Sequence, residues 1–385
     1  MVQINNSRKI ALWGTGLEAV RFMYSTDLDI DVVIDNNRVS EDWTFRGLPV
    51  KKTTELSNLK EYYIVMATSE GVYVQICEGL LSQGLEEFID FCYCRHIGKK
   101  LAVLHGNCHV DVMKSFLGSS QKFNEEYAIY PLPSIYGIRE GYIRGEILEH
   151  CDLFIHQDIR PDNSCGYKLS DEYVLPQVNV AAHKITVPNL FGYGSMFFPQ
   201  VIGNPNNSWL FSGRDRNGMF PHGNKVIEKA LEEGKSVEDI VRLLESACIS
   251  EDEIIENFAE EVSKMQKREE NWDIKISRFI LENYKDVQIF YSCWHPTNIV
   301  IKEIVLQILM KLGITDENIE TELKMDTHEE PLLSCVRETL GIQWKKEHIR
   351  EGSACKRINN KMTLEEYVRE YVWWCHGEEK DKNVL

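Results

Sequence analysis

The chain has 385 residues, 43% of them hydrophobic, which predicts two or three domains with real cores and excludes a disordered chain. Its net charge of −17 repels phosphate backbones and argues against nucleic acid as a partner. No apolar run reaches the ~18–20 residues of a membrane span, and the polar start, Met1 to Lys9, lacks the apolar stretch of a secretion signal.

Lys9 to Trp13 reads as a short buried strand, followed by Gly14-Thr15-Gly16 and a helical stretch from Leu17 to Tyr24. Asp31 to Asp35 is a second strand ending in an acid, and Tyr62 to Ala67 a third, with a helical run from Val72 to Gln83 after it. Strands alternating with helices predict a parallel, doubly wound sheet. Glycines let backbone N–H groups approach a phosphate, and an acid at the end of the next strand can hold a ribose hydroxyl. Gly14, Gly16 and Asp35 are therefore candidate nucleotide contacts, although an alanine, Ala19, takes the place of the third glycine. Cys92, Cys94 and His96 lie too close together for the usual zinc pairs, and no second pair matches them, so no metal site is expected there. The 11 cysteines, odd in number and without a framework, predict reduced thiols and a cytoplasmic location.

The pattern restarts after Lys99-Lys100. Leu101 to Leu104 is a strand, His105 to His109 a tight turn, and Val110 to Leu117 a helix with one apolar face. A cysteine at such a turn points outward at the top of the sheet, and the helix N-terminus favours its thiolate. Asn107 and backbone N–H groups there can stabilise an oxyanion. Asp152 to His156 and Lys184 to Pro188 read as further strands. Residues 191–223, rich in glycine, proline, asparagine and aromatics, read as a long functional loop. Lys225 to about Leu281 is helical, Val287 to Tyr291 a late strand, and Asn298 to Leu312 an apolar helix. His295 falls in the junction before that helix, where a histidine can serve as general base. In the tail, Thr363-Leu364-Glu365-Glu366 carries a capping box before a helix. The expected domains are 1–100, 101–315, and a helical extension over 316–385.

Two resemblances follow from these residues. Asp31 to Asn37 with Gly47-Leu48-Pro49-Val50 resembles the small Rossmann-like domain at the front of many sugar-modifying enzymes. That implies a domain that either binds a nucleotide-sugar or supports the fold. Gly106-Asn107-Cys108, Asp152 to Gln157, Ile185 to Asn189, Arg268 to Asp273 and His295 to Asn298 together resemble the polysaccharide-biosynthesis family named for WcbI. The resemblance implies an SGNH-like α/β fold and acetyl transfer from acetyl-CoA to a sugar or glycan acceptor in capsule or surface-polysaccharide assembly.

In that comparison Cys108 takes the nucleophile's place and His295 the late histidine's. Asn107 or Gln157 would complete an oxyanion hole. The acid usually found three residues before the histidine is here Ser292, which leaves Asp158, Glu269 and Asp273 as candidates to orient His295. Gly106, Arg214, Arg216 and Arg268 are candidate coenzyme A contacts, with Arg139, Arg144, Arg160 and Lys267 as further cations. Phe191, Tyr193, Phe197 and Phe198 are candidates to wall an acceptor or pantetheine groove, or to pack in a core. The alternatives are an SGNH-like esterase or deacetylase, and a non-catalytic nucleotide-sugar or coenzyme A module.

Overall fold

A computed structural model describes the chain except residues 1–3, 5–7, 38–39, 41, 204–219, 221, 326–328, 346–348, 351–360 and 377–385. Arg214 and Arg216 lie outside the described residues. The chain divides into two compact units: Met1–Val110 with Ser120–Ile185, and Asp111–Ser119 with Thr186–Leu385.

The first unit opens with β1 (Lys9–Trp13), α1 (Leu17–Ser25), β2 (Val32–Ile34), β3 (Thr44–Phe45), β4 (Leu48–Lys51), β5 (Tyr62–Met66), α2 (Glu70–Ser82) and β6 (Phe91–Tyr93). They form one sheet in the order β3-β4-β2-β1-β5-β6. Every pairing is parallel except the β3–β4 hairpin. That hairpin turns on Arg46 and Gly47, both at positive φ, the left-handed pair that a two-residue hairpin turn requires. Ile10 to Leu12, Val32 to Ile34 and Ile64 to Met66 are buried, as a sheet covered on both faces demands.

A second sheet follows from β7 (Lys100–His105), α3 (His109–Ser119), α4 (Gln121–Glu126), β8 (Tyr127–Ile129), α5 (Gly145–Glu149), β9 (Leu153–Gln157), α6 (Asp171–Val174) and β10 (His183–Val187). Its order is β10-β9-β7-β8, and β7 runs parallel to both β8 and β9. Within the first unit the core is continuous: Leu101, Val103, Tyr130 and Phe154 pack in the same cluster as Ile64 and Phe91. Glu87 lies buried there, engaged by the Tyr73 and Tyr130 hydroxyls and by Arg144. A buried carboxylate is tolerated when paired and hydrogen-bonded in this way.

The second unit carries the short hairpin β11 (Val201–Gly203) and β12 (His222–Asn224), then α7 (Lys225–Glu232), α8 (Val237–Glu245), α9 (Glu251–Glu269) and α10 (Ser277–Asn283). The stretch 225–281 is helical as expected, divided into four helices. Gly234 at positive φ stops the first, and the Ser236 and Ser250 hydroxyls cap the next two through Asp239 N–H and Glu253 N–H. The expected strand over 287–291 is not formed. Ile289 and Tyr291 instead pair locally with Thr297 and His295 around a tight turn, leaving a single bridge between Phe290 and Pro296. α11 (Asn298–Lys311), α12 (Ser334–Thr339), the small pair β13 (Ile349–Arg350) and β14 (Lys361–Met362), and α13 (Leu364–His376) complete the chain. The capping box at α13 closes in both directions. Thr363 N–H donates to the Glu366 carboxylate, and Glu366 N–H donates to the Thr363 hydroxyl. Among the described residues no helix is long and apolar enough to cross a membrane.

Candidate functional site

β7 and β9 are parallel, with His105 opposite His156, so both deliver their next residues to the carboxyl edge where ligands of α/β sheets bind. β7 hands on to Gly106-Asn107-Cys108, and α3 begins at His109. Gln157, wholly buried, ends β9. Its side-chain oxygen accepts the Asn107 backbone N–H at 2.8 Å, and its amide nitrogen lies 3.3 Å from His109 Nδ1. Asn107 is itself buried, and its side-chain oxygen accepts the His109 N–H at 2.9 Å. The turn is therefore fixed from both sides before any ligand arrives. Gly106 suits it for a steric reason: a Cβ would come within 2.6 Å of both Gln157 Oε1 and Val110 Cγ1. Cys108, held in this turn, is only partly buried.

The strand ends behind the turn are also pinned. His105 Nε2 lies 2.8 Å from the Leu169 carbonyl, and His156 Nδ1 lies 3.0 Å from Asp171. The Gly106 carbonyl accepts the Ile135 N–H at 2.9 Å, which places Tyr136 beside the turn. Loss of water around its phenol raises the Tyr136 pKa, and the Cys108 and Cys165 sulfurs raise it further. Nothing in the Pro-Leu-Pro-Ser-Ile-Tyr surroundings of Tyr136 marked it.

His295 belongs to the second unit and is half-buried in the turn before α11. Its carbonyl accepts the Tyr291 N–H at 2.8 Å. Two further backbone bonds grip this turn, from Gly192 N–H and Gly194 N–H to the Cys293 carbonyl at 3.0 and 3.1 Å. A Cβ at Gly194 would fall 2.2 Å from the Ser292 carbonyl oxygen. Ser292 is fully buried and its hydroxyl accepts the Trp294 N–H.

Two of the acids proposed to orient His295 are engaged elsewhere. Glu269 receives the Ile276 and Ser277 N–H groups and the Ser277 hydroxyl at the start of α10, and Asp273 accepts the Thr186 N–H at 2.8 Å. Glu330, which sequence reasoning missed, reaches the turn instead. Its N–H donates to the Tyr291 carbonyl at 2.8 Å. Its carboxylate holds His222 Nδ1 at 2.8 Å and accepts the Tyr367 hydroxyl at 3.0 Å. Burial, then the Glu330 charge, pushes Tyr367 well above the usual phenol range, so it remains a donor.

Of the candidate cations, Arg144 is paired with Glu87 and Glu146. Arg268, in the last turn of α9, lies over the Tyr193 and Trp272 rings at 6.0 and 5.4 Å. Cys92 and Cys94 are buried thiols pushed up to about 12, chiefly by burial, and His96 is buried among Tyr73, Tyr93 and Tyr130.

A separate cavity of about 610 Å³ opens at the carboxyl edge of the first sheet, lined by Gly14 to Glu18, Asp35 to Asn37 and Ala67 to Ser69 among others. Gly14 has φ +124°, and a Cβ there would meet the Ala67 carbonyl at 2.5 Å. The Asp35 carboxylate accepts the Thr15 hydroxyl at 2.5 Å and the Asn37 N–H at 2.9 Å. Among the described residues, neither α1 nor α2, whose N-termini face this cavity, has a side-chain cap.

Parallel-dominated sheets, with a cysteine-bearing turn at one carboxyl edge, define an α/β protein with a candidate catalytic turn. Residues 101–317, more than half of the chain, match the family described as polysaccharide biosynthesis enzyme WcbI. The chain belongs to this family. A solved structure of WcbI, described as a novel polysaccharide biosynthesis enzyme and as native protein without a disulfide bond between coenzyme A and a cysteine, is similar at 18% identity and TM-score 0.57. That match covers 73% of this chain and 91% of the other, and establishes likeness of fold. None of the curated proteins matches the chain.

Proposed function

We propose that the protein is a coenzyme A-dependent O-acetyltransferase acting on a sugar or glycan precursor. The observation that carries the reading is the partly exposed Cys108 in a turn fixed by Gln157 at a sheet's carboxyl edge. Family membership and the coenzyme A and cysteine named for the WcbI structure support it.

In the proposed reaction the Cys108 thiolate attacks the acetyl carbonyl of acetyl-CoA. The thioester C–S bond breaks and coenzyme A leaves as thiolate, which takes up a proton. An acceptor hydroxyl then attacks the acetyl-cysteine, a general base takes the hydroxyl proton, a role the family resemblance gives to His295, and the Cys108 thiolate is released. Asn107 and the turn's N–H groups stabilise the oxyanion of each step. Gln157 acts as a positioning residue, because its side chain is directed onto Asn107 and His109. Gly106, Arg268, Arg214 and Arg216 are each kept as candidate coenzyme A contacts, as the family resemblance implies. The esterase reading has less support, since the position of its usual acid holds the buried Ser292.

Calorimetry with coenzyme A and acetyl-CoA tests this reading. Micromolar binding to wild type, weakened by Arg268→Ala or by Arg214→Ala/Arg216→Ala, is expected. No binding of either compound would overturn it.

The first sheet's cavity is assigned to a nucleotide, such as that of a nucleotide-sugar. Gly14 and Gly16 would bring backbone N–H groups to phosphate, and Asp35 would take a ribose hydroxyl. What supports this is the cavity itself, at the edge where the chain leaves β1 and β5. Uridine diphosphate titrated into wild type and Asp35→Ala tests it: binding lost in the variant is expected, and equal heats in both would contradict it.

A further inference from the structure

Four aromatic residues of the segment after β10 were candidates to wall a groove, and the structure separates them. Tyr193, Phe197 and Phe198 are buried, while Phe191 is 44% exposed. An exposed phenylalanine is ordinarily loose; this one is fixed. Its ring stacks on Trp294, with centroids 5.0 Å apart and planes 13° from parallel. Trp294 meets the His222 ring edge-on at 3.9 Å. His222 is held by Glu330, and Glu330 by Tyr367. The backbone is held too: Phe191 N–H donates to the Asn189 side chain at 3.2 Å, and Gly192 N–H donates to the Cys293 carbonyl.

A ladder of rings thus runs from a buried carboxylate to one exposed aromatic face. It is kept although, among the described residues, His222 Nε2 is buried with no hydrogen-bond partner. Binding to a surface fixed in advance forfeits little side-chain entropy, which is why rigid aromatic rings anchor ligands well. The ladder also shares its backbone with the site, because Trp294 directly precedes His295.

We propose that the outer face of Phe191 is the acceptor subsite, and that it takes the C–H face of a pyranose ring. This rests on the acetyltransferase reading for the word acceptor, and on the geometry for the ligand class. The ring face carries the negative end of its quadrupole, which attracts the slightly positive C–H bonds of a sugar and repels anionic groups.

The test is saturation-transfer NMR on the full chain. The probes are methyl β-D-glucopyranoside, methyl β-D-galactopyranoside and methyl α-D-mannopyranoside, with coenzyme A calorimetry run beside them. Wild type should saturate the C–H protons of one ring face of at least one glycoside. Phe191→Ala should reduce that signal roughly fivefold, the scale of one aromatic contact. Phe191→Trp should retain it, and coenzyme A affinity should be unchanged in both variants. Phe191 is at the surface, and circular dichroism checks that each variant folds. Equal saturation in Phe191→Ala, or no saturation from wild type, overturns the proposal. So does loss of coenzyme A binding in Phe191→Ala, which would give the platform to adenine. Absence of coenzyme A binding in wild type would instead remove the acetyltransferase reading, while the glycoside signal still decides the platform.

Discussion

The side-chain oxygen of Gln157 accepts the Asn107 backbone N–H at 2.8 Å, tying the end of β9 to the turn that carries Cys108. Fifty residues separate the two partners, and both are buried. Gln157→Leu keeps the bulk and removes the acceptor. A buried N–H left unpaired costs about 1–3 kcal/mol, so chemical denaturation should show that loss. Loss of the turn's geometry should also lower acetyl transfer more than it weakens coenzyme A binding. Unchanged stability would mean that the bond does not hold the turn.

Gly194 is the second steric prediction. A Cβ there would sit 2.2 Å from the Ser292 carbonyl oxygen and 2.8 Å from Cys293 Cα, both backbone atoms that cannot swing aside. Gly194→Ala should destabilise the fold by about 1–3 kcal/mol, the usual range for overpacking. It should also shift the near-ultraviolet circular dichroism of Trp294, whose turn must move. Gly118→Ala, where among the described residues the added methyl meets nothing within 4 Å beyond its chain neighbours and its own helix backbone, serves as the control.

The third prediction concerns acid. Burial holds the His96 imidazole down to about 4, against an ordinary value of 6.5. Between those values the unfolded chain binds a proton that the folded chain does not. The His96 contribution is therefore complete above pH 6.5 and is lost as pH falls toward 4. A shift of this size corresponds to about 3 kcal/mol. Urea denaturation across that window should show stability falling with pH, and His96→Phe should flatten the slope. An identical slope in the variant would place the acid sensitivity elsewhere.

The sequence made some of this visible and hid the rest, for physical reasons. Runs such as Ile10-Ala11-Leu12 and Val32-Val33-Ile34 announce buried parallel strands because both of their faces are apolar. The Thr363 to Glu366 box is local, and its two bonds formed as read. The same local logic holds at Ser236 and Ser250, whose hydroxyls cap separate helices within the stretch from Lys225. Val287 to Tyr291 has strand-like composition, but its backbone bonds close on residues only a few positions ahead. Glu330, His222 and Tyr136 carry no local signal. Their partners lie far along the chain, as with the 108 residues between His222 and Glu330, and only the fold brings them together.

The central claim is that Cys108 accepts an acetyl group from coenzyme A. The most direct measurement is peptide mapping by mass spectrometry after brief incubation with acetyl-CoA and an acid quench. One acetyl group on the peptide containing Cys108, absent in Cys108→Ala and accumulating in His295→Gln when acceptor is supplied, is the predicted result. An unmodified Cys108 in a protein that binds acetyl-CoA, with transfer to acceptor intact in Cys108→Ala, would contradict it.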